Sequence, residues 1–152
     1  MIMNVKKFLI AGGNSTALVY DCPVVDRDKT SKNLLKEVEQ VGFVSTKATL
    51  QKLTMMGGEL CINAILSFAS TLDKNGKLAT SGLKNPISYL NKNGSTTIQI
   101  PFKFKKDKNV ILLDGIGFIL FYTKEKSEIK KSELSDLSKK YKLPAFGGII
   151  YD

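Results

Sequence analysis

LTMMGGELCINAILSFASTL, Leu53 to Leu72, decides the fold, because its last twelve residues carry no charge. A surface helix shows one apolar stripe and one charged face. Here Cys61, Ile62, Ala64, Ile65, Leu66, Phe68, Ala69 and Leu72 cover nearly the whole circumference. Asn63, Ser67 and Ser70 recur at i, i+4 and i+7, and mark one narrow polar strip. The pattern predicts a central helix over about 59–72, buried on almost every side.

The rest of the chain bounds what can surround such a helix. At 152 residues it suffices for one packed domain or two small lobes. The opening MIMNVKKFLIAGG holds an apolar run too short for a signal-peptide core, and no stretch reads as a membrane span. Two cysteines, Cys22 and Cys61, make no disulfide framework, so a reducing cytoplasmic setting is expected. The net charge is +9, yet the basic residues are 22 lysines and the single Arg27. Readers of nucleic acid lean on arginine's planar fork, and these lysines are scattered. They cluster only at Lys103–Lys108 and Lys124–Lys131, so the charge reads as solvated loops and argues against a nucleic-acid partner. The absence of histidine removes the commonest metal ligand and the usual general base. Chemistry here falls to cysteine, carboxylate or lysine.

Read in order, KKFLIAGGN and TALVYDC are strands about a glycine turn. DKTSKNLLKEVEQVG predicts a helix capped near Ser31 and closed by Gly42, with Leu34, Leu35 and Val38 on one face. GFVS and TLQKLTMM are short strands before the buried helix, and KNGKLATSGLKN reads as loop. PISYLNK and STTIQIPFKF alternate as strands about the turn NKNGS. A second group follows: strands NVILLDG and GIGFILFYT, an amphipathic helix in KSEIKKSELSDLSKKYK with Ile129, Leu134, Leu137 and Tyr141 inward, and a strand FGGIIYD. The expected fold class is α+β: a curved, mostly antiparallel sheet wrapped around a buried helix in a lobe over 1–105, and the start of a second, incomplete lobe over 106–152.

Gly57 and Gly58 permit a sharp turn before Cys61. The first amides of a helix lack intrahelical partners and, with the positive end of the macrodipole, form a site for a carboxylate or phosphate. A cysteine placed there feels the same field, which favours its thiolate, while Glu59 opposes that shift. A buried cysteine also serves as a small hydrophobe, so both roles stay open for Cys61. The turn AGGNS has the composition of a hairpin, and Asp26 and Asp28 in VVDRDKTS fit a helix start. Three GG pairs stand outside Walker and Rossmann spacing.

Together AGGNS, VGFVS, GGELCINA and DGIGFILFY…LSKKYKLPAFGGIIYD resemble, in order, the motifs of the diaminopimelate epimerase superfamily of cofactor-independent racemases and isomerases. The resemblance implies that Cys61 is one of a pair of catalytic cysteines. It implies that Asn14, Asn63 and the backbone at Ile62, Asn63 and Ala64 hold a small amino-acid or carboxylate ligand, with no cofactor and no metal. Ile62 stands where the family has glycine, Ser15 and Thr16 where it has an acidic and an aromatic residue, and Met55 near an expected asparagine. These departures argue against diaminopimelate itself. The family's second cysteine has no counterpart in residues 62–152, and Cys22 reads as structural. Two expectations follow. One is an isomerase lobe completed by a homo-oligomer or by a partner supplying the second lobe. The other is a non-catalytic relative that binds a small carboxylate or mediates assembly.

Overall fold

The computed structural model describes residues 4–10, 14–47, 49–113 and 116–151, which form two units, Met1–Ile100 and Pro101–Asp152. In the first unit, strands β1 (Asn4–Ile10), β2 (Asn14–Tyr20), β3 (Gln40–Ser45), β4 (Lys52–Met55), β5 (Asn75–Thr80), β6 (Ile87–Lys92) and β7 (Ser95–Gln99) form one seven-stranded sheet in sequence order. Two of its joints, β2/β3 and β4/β5, are parallel, and the others are antiparallel. Parallel neighbours need a crossover, and here helices α1 (Arg27–Leu34) and α2 (Ile62–Ala69) supply them.

The two helices take opposite faces. The β4/β5 pair runs against the β2/β3 pair, because β3 and β4 are antiparallel. A right-handed crossover in each therefore sends α1 to one side and α2 to the other. Alternation along the strands fits this division. Leu18, Val44, Leu53 and Met55 pack with Ala64, Ile65 and Phe68 of α2. Ala17, Val19, Val41 and Phe43 pack with Cys22, Val38 and Leu34 on the α1 side. Helix α2 touches β1, β2, β3, β4, β6 and β7. One helix can meet both edge regions of a sheet only if the sheet curls around it, and this half-barrel surrounds the charge-free helix expected from the sequence.

Both ends of α2 are tied. At its exit, Asn91 Nδ2 in β6 donates to the carbonyls of Ala69, Leu72 and Asp73 at 2.8, 3.2 and 2.9 Å. These carbonyls would otherwise be the unsatisfied acceptors of a buried helix end. The β6/β7 hairpin closes as NKNGS predicts: Asn93 and Gly94 take φ of 52° and 77°, the twist that suits a two-residue hairpin.

The structure corrects several local expectations. The central helix is shorter than 59–72, running from Ile62 to Ala69 with Cys61 as its extended cap and Glu59 and Leu60 outside it. The helix expected over 28–42 ends at Leu34, and Ser31 is a buried interior residue of it. Gly42 lies within β3, where a Cβ would stand 2.7 Å from Leu53 Cδ1, so packing between strands and not helix termination requires glycine there. The loop expected near residue 75 is β5: Leu78 and Thr80 are buried while Asn75 and Lys77 point out, the alternation of a half-buried strand.

In the second unit, β8 (Lys105–Asp107), β9 (Val110–Leu113), β10 (Ile116–Tyr122) and β11 (Ala145–Tyr151) form a four-stranded sheet in the order β11-β10-β9-β8. Helix α3 (Lys131–Tyr141) crosses between the parallel strands β10 and β11. Its start is fixed by Glu133, which accepts from the Lys130 amide at 2.9 Å and pairs with the Lys126 ammonium. Leu134, Leu137 and Tyr141 are half-buried, and the Tyr141 ring stacks on Phe146 of β11. Ile129, expected inside the helix, precedes it and fills the space left by Gly148, whose missing Cβ would lie 2.4 Å from Ile129 Cδ1.

Because Phe68 is fully buried in the face of α2 that meets the sheet, Phe68→Ala is expected to lower the free energy of unfolding by about 3–5 kcal/mol, read by urea denaturation. A loss under about 1 kcal/mol would show that the helix is not the centre of this core.

Candidate functional site

The approach to Cys61 is built by a turn and a pin. After β4 the chain reverses through Gly58, whose φ of 76° suits glycine. Ser81, just past β5, accepts from the Met55 amide at 2.9 Å and donates its hydroxyl to the Glu59 carbonyl at 2.7 Å. Gly82 lies flat against the following residue, where a Cβ would meet the Leu60 nitrogen at 2.6 Å. Strand β4 and the chain after β5 therefore fix where Cys61 begins the helix.

Cys61 is the N-cap of α2, with extended backbone angles of −131° and 106°. Its sulfur accepts from the Ala64 amide at 3.5 Å, as a serine or aspartate oxygen does at most helix starts. The same sulfur donates to Gln40 Oε1 at 3.1 Å. Gln40 begins β3 and pairs in register with Thr16 of β2, whose hydroxyl donates to the same Oε1 at 3.2 Å. Thr16 is fully buried, and Cys61 keeps 8% of its surface exposed.

Sequence reasoning placed the helix start and its thiol but missed Gln40 and Thr16. Gln40 meets the Cys61 sulfur and Thr16 meets Gln40, a link that depends on the parallel β2/β3 register, which no local pattern reports. Asn14 is the first residue of β2, half-buried, and two strand positions from Thr16. It therefore shares the sheet face of Thr16 and Leu18, the face that carries α2. Residues 11–13 of AGGNS lie outside the described residues. Ile62 and Asn63 are half-buried at the first helical turn, whereas Ala64 is buried and its amide is committed to the Cys61 sulfur. Met55 is a core residue against α2. Cys22 sits in the other cluster, with its sulfur 3.9 Å from the Thr30 hydroxyl, on the sheet face away from Cys61. Asp28 pairs with Lys32 one helical turn on, in an exposed ion pair.

The electrostatics differ from the expectation that the helix start favours thiolate. Burial pushes the Cys61 thiol above its ordinary range and outweighs the Ala64 and Asn63 amides, which pull it down; the Glu59 charge adds to the rise. Raised in this way, the sulfur favours its neutral thiol over the thiolate. Among the described residues no group of three or more His, Cys, Asp or Glu side chains could hold a metal ion. No helix of the described residues is long and apolar enough to cross a membrane.

Comparison with known proteins adds two likenesses to this geometry. The chain is 30% and 29% identical over 173 aligned positions to histidine racemases from two strains of Fusobacterium nucleatum subsp. nucleatum, across 92% of its own length. It spans 64% of the length of those relatives. In fold it is similar to a phenazine-biosynthesis PhzC/PhzF protein from Clostridium difficile (strain 630), with a TM-score of 0.57 and 12% identity over 93% of this chain and 65% of that one. No family model matches the chain.

The raised thiol has a consequence for stability. A folded value above the unfolded one means that the contribution of Cys61 is full below the unfolded value, about pH 8.5, and is lost as pH rises through the folded value. Urea unfolding at a series of pH values should show wild type losing stability more steeply above about pH 8.5 than Cys61→Ser, whose hydroxyl does not titrate. Parallel curves would mean that burial does not control the thiol.

Proposed function

We propose that the first unit is the amino-acid-binding lobe of a cofactor-independent racemase or epimerase of the diaminopimelate-epimerase type, with Cys61 as its acid–base group. The observation that carries this reading is the position of the sulfur. It caps the buried helix at the point where the amides of that helix favour an anion. The sequence likeness to histidine racemases supports a racemase-type isomerase, and the likeness to a PhzC/PhzF protein is consistent with the fold.

In this reading the substrate carboxylate rests on the Ile62 and Asn63 amides, with the Asn63 and Asn14 side chains at its polar groups. That placement sets the α-carbon beside the sulfur. The Cys61 S–H gives its proton to one face of the α-carbanion and becomes thiolate; in the reverse direction the thiolate removes that proton. The amides stabilise the charge that builds on the carboxylate as the carbanion forms. Inversion also needs a second acid–base group on the opposite face of the α-carbon, which removes the α-proton when Cys61 gives one and gives one when the Cys61 thiolate removes it. Cys22 lies on the other side of the sheet, so the second acid comes from outside this unit, and a homo-oligomer or a partner is the source this reading favours.

The test is α-proton exchange in deuterated water with an amino-acid panel that includes histidine, followed by NMR. Wild type is expected to incorporate deuterium at the α-carbon of at least one amino acid, and Cys61→Ser to slow it by about a hundredfold or more. A well-folded wild type that exchanges none of them would leave the non-catalytic, carboxylate-binding reading in its place.

A further inference from the structure

The sulfur of Cys61 faces a side-chain amide. Two hydrogens converge on Gln40 Oε1, the thiol S–H at 3.1 Å and the Thr16 O–H at 3.2 Å. This arrangement suits the neutral thiol. Once the proton leaves, the sulfur has nothing to donate and would hold a negative charge against a carbonyl oxygen. Among the described residues no buried side-chain nitrogen or oxygen in the protein lacks a partner, so that repulsion would be a new defect in a satisfied network.

An amide can remove the conflict without moving its neighbours. Rotation by half a turn about the last side-chain bond puts Nε2 where Oε1 stood. Its two hydrogens then point to the sulfur and to Thr16. The Thr16 hydroxyl, free to turn its own hydrogen, changes from donor to acceptor. A carboxylate could not do this, and neither could an apolar side chain of the same length.

We propose that Gln40 is the positioning residue of the Cys61 sulfur and that its amide turns over with each proton transfer. It presents Oε1 to the thiol and Nε2 to the thiolate, while Thr16 follows as donor and then acceptor. The proton itself passes between sulfur and its external partner, and Gln40 neither gains nor loses one. The catalytic consequence rests on the racemase reading, but the titration of the sulfur does not. Because Gln40 belongs to β3 and Thr16 to β2, the thiol is tuned by the sheet and not by its own helix alone.

The test measures iodoacetamide labelling of Cys61 against pH, with each cysteine followed in its own peptide by mass spectrometry. It compares wild type, Gln40→Met and Gln40→Glu. Glutamate keeps the shape of glutamine and an acceptor oxygen but has no N–H to offer the thiolate. Both variants should displace the Cys61 profile to higher pH by about one unit, and so label about tenfold more slowly below the inflection, with Glu displaced further. The Cys22 peptide, on the opposite sheet face, should keep the wild-type profile in all three. A Cys61 profile that stays with wild type in Gln40→Glu, or moves to lower pH, would overturn the proposal. Failure of α-proton exchange with the labelling shift intact would instead reject the racemase reading and leave the Gln40 assignment standing.

Discussion

Everything in the first unit depends on one constraint: α2 has no charged face to turn to water, and only Ile62, Asn63 and Leu66 in it are partly exposed. Ala64, Ile65, Phe68 and Ala69 are fully buried, and Ser67 nearly so, its hydroxyl returned to the Asn63 carbonyl at 2.9 Å. A helix of this kind must be surrounded, and a sheet that follows sequence order can surround it only by curling. The curl in turn sets the strand faces and the choice of which helix lies inside. Polar groups are tolerated in that core only where a second element answers them, as at the Asn91 clamp and at Thr16.

The site follows from the same constraint. The buried helix begins at Cys61, and the chain places sulfur there instead of the usual oxygen cap. The same burial that makes the core keeps the thiol protonated. The site thus joins an environment that favours an anionic ligand to a sulfur that favours its neutral form. Its supports come from separated parts of the chain: Ser81 and Gly82 hold the approach, Gln40 faces the sulfur and Thr16 holds Gln40.

The sequence discloses most where a signal is local and strong. The charge-free run from Cys61 identifies the inner helix, and Asn93-Gly94 identifies the β6/β7 hairpin, because both act through backbone and side-chain chemistry within a few residues. It misleads where local propensity and tertiary demand part. The run Leu34, Leu35 and Val38 has helical spacing, yet Leu35 is 41% exposed, while Val38 belongs with Val41 and Phe43 in the packing beside β3. The polar, glycine-containing start of β5 hides a strand, since only Leu78 and Thr80 carry its buried face. Cys61 and Asn14 are visible as candidates, but what joins Thr16 to Gln40 beside the thiol is a register between strands twenty-four residues apart.

The clamps on α2 have a consequence for biosynthesis. Ser81 holds the chain that enters the helix, and Asn91 holds the carbonyls that leave it. Both lie later in the chain than the helix they secure. On the ribosome, α2 therefore emerges as an apolar segment before either clamp has been translated, and it gains its walls only as β5 through β7 follow. During that interval it presents to its surroundings the same surface that later forms the heart of the unit.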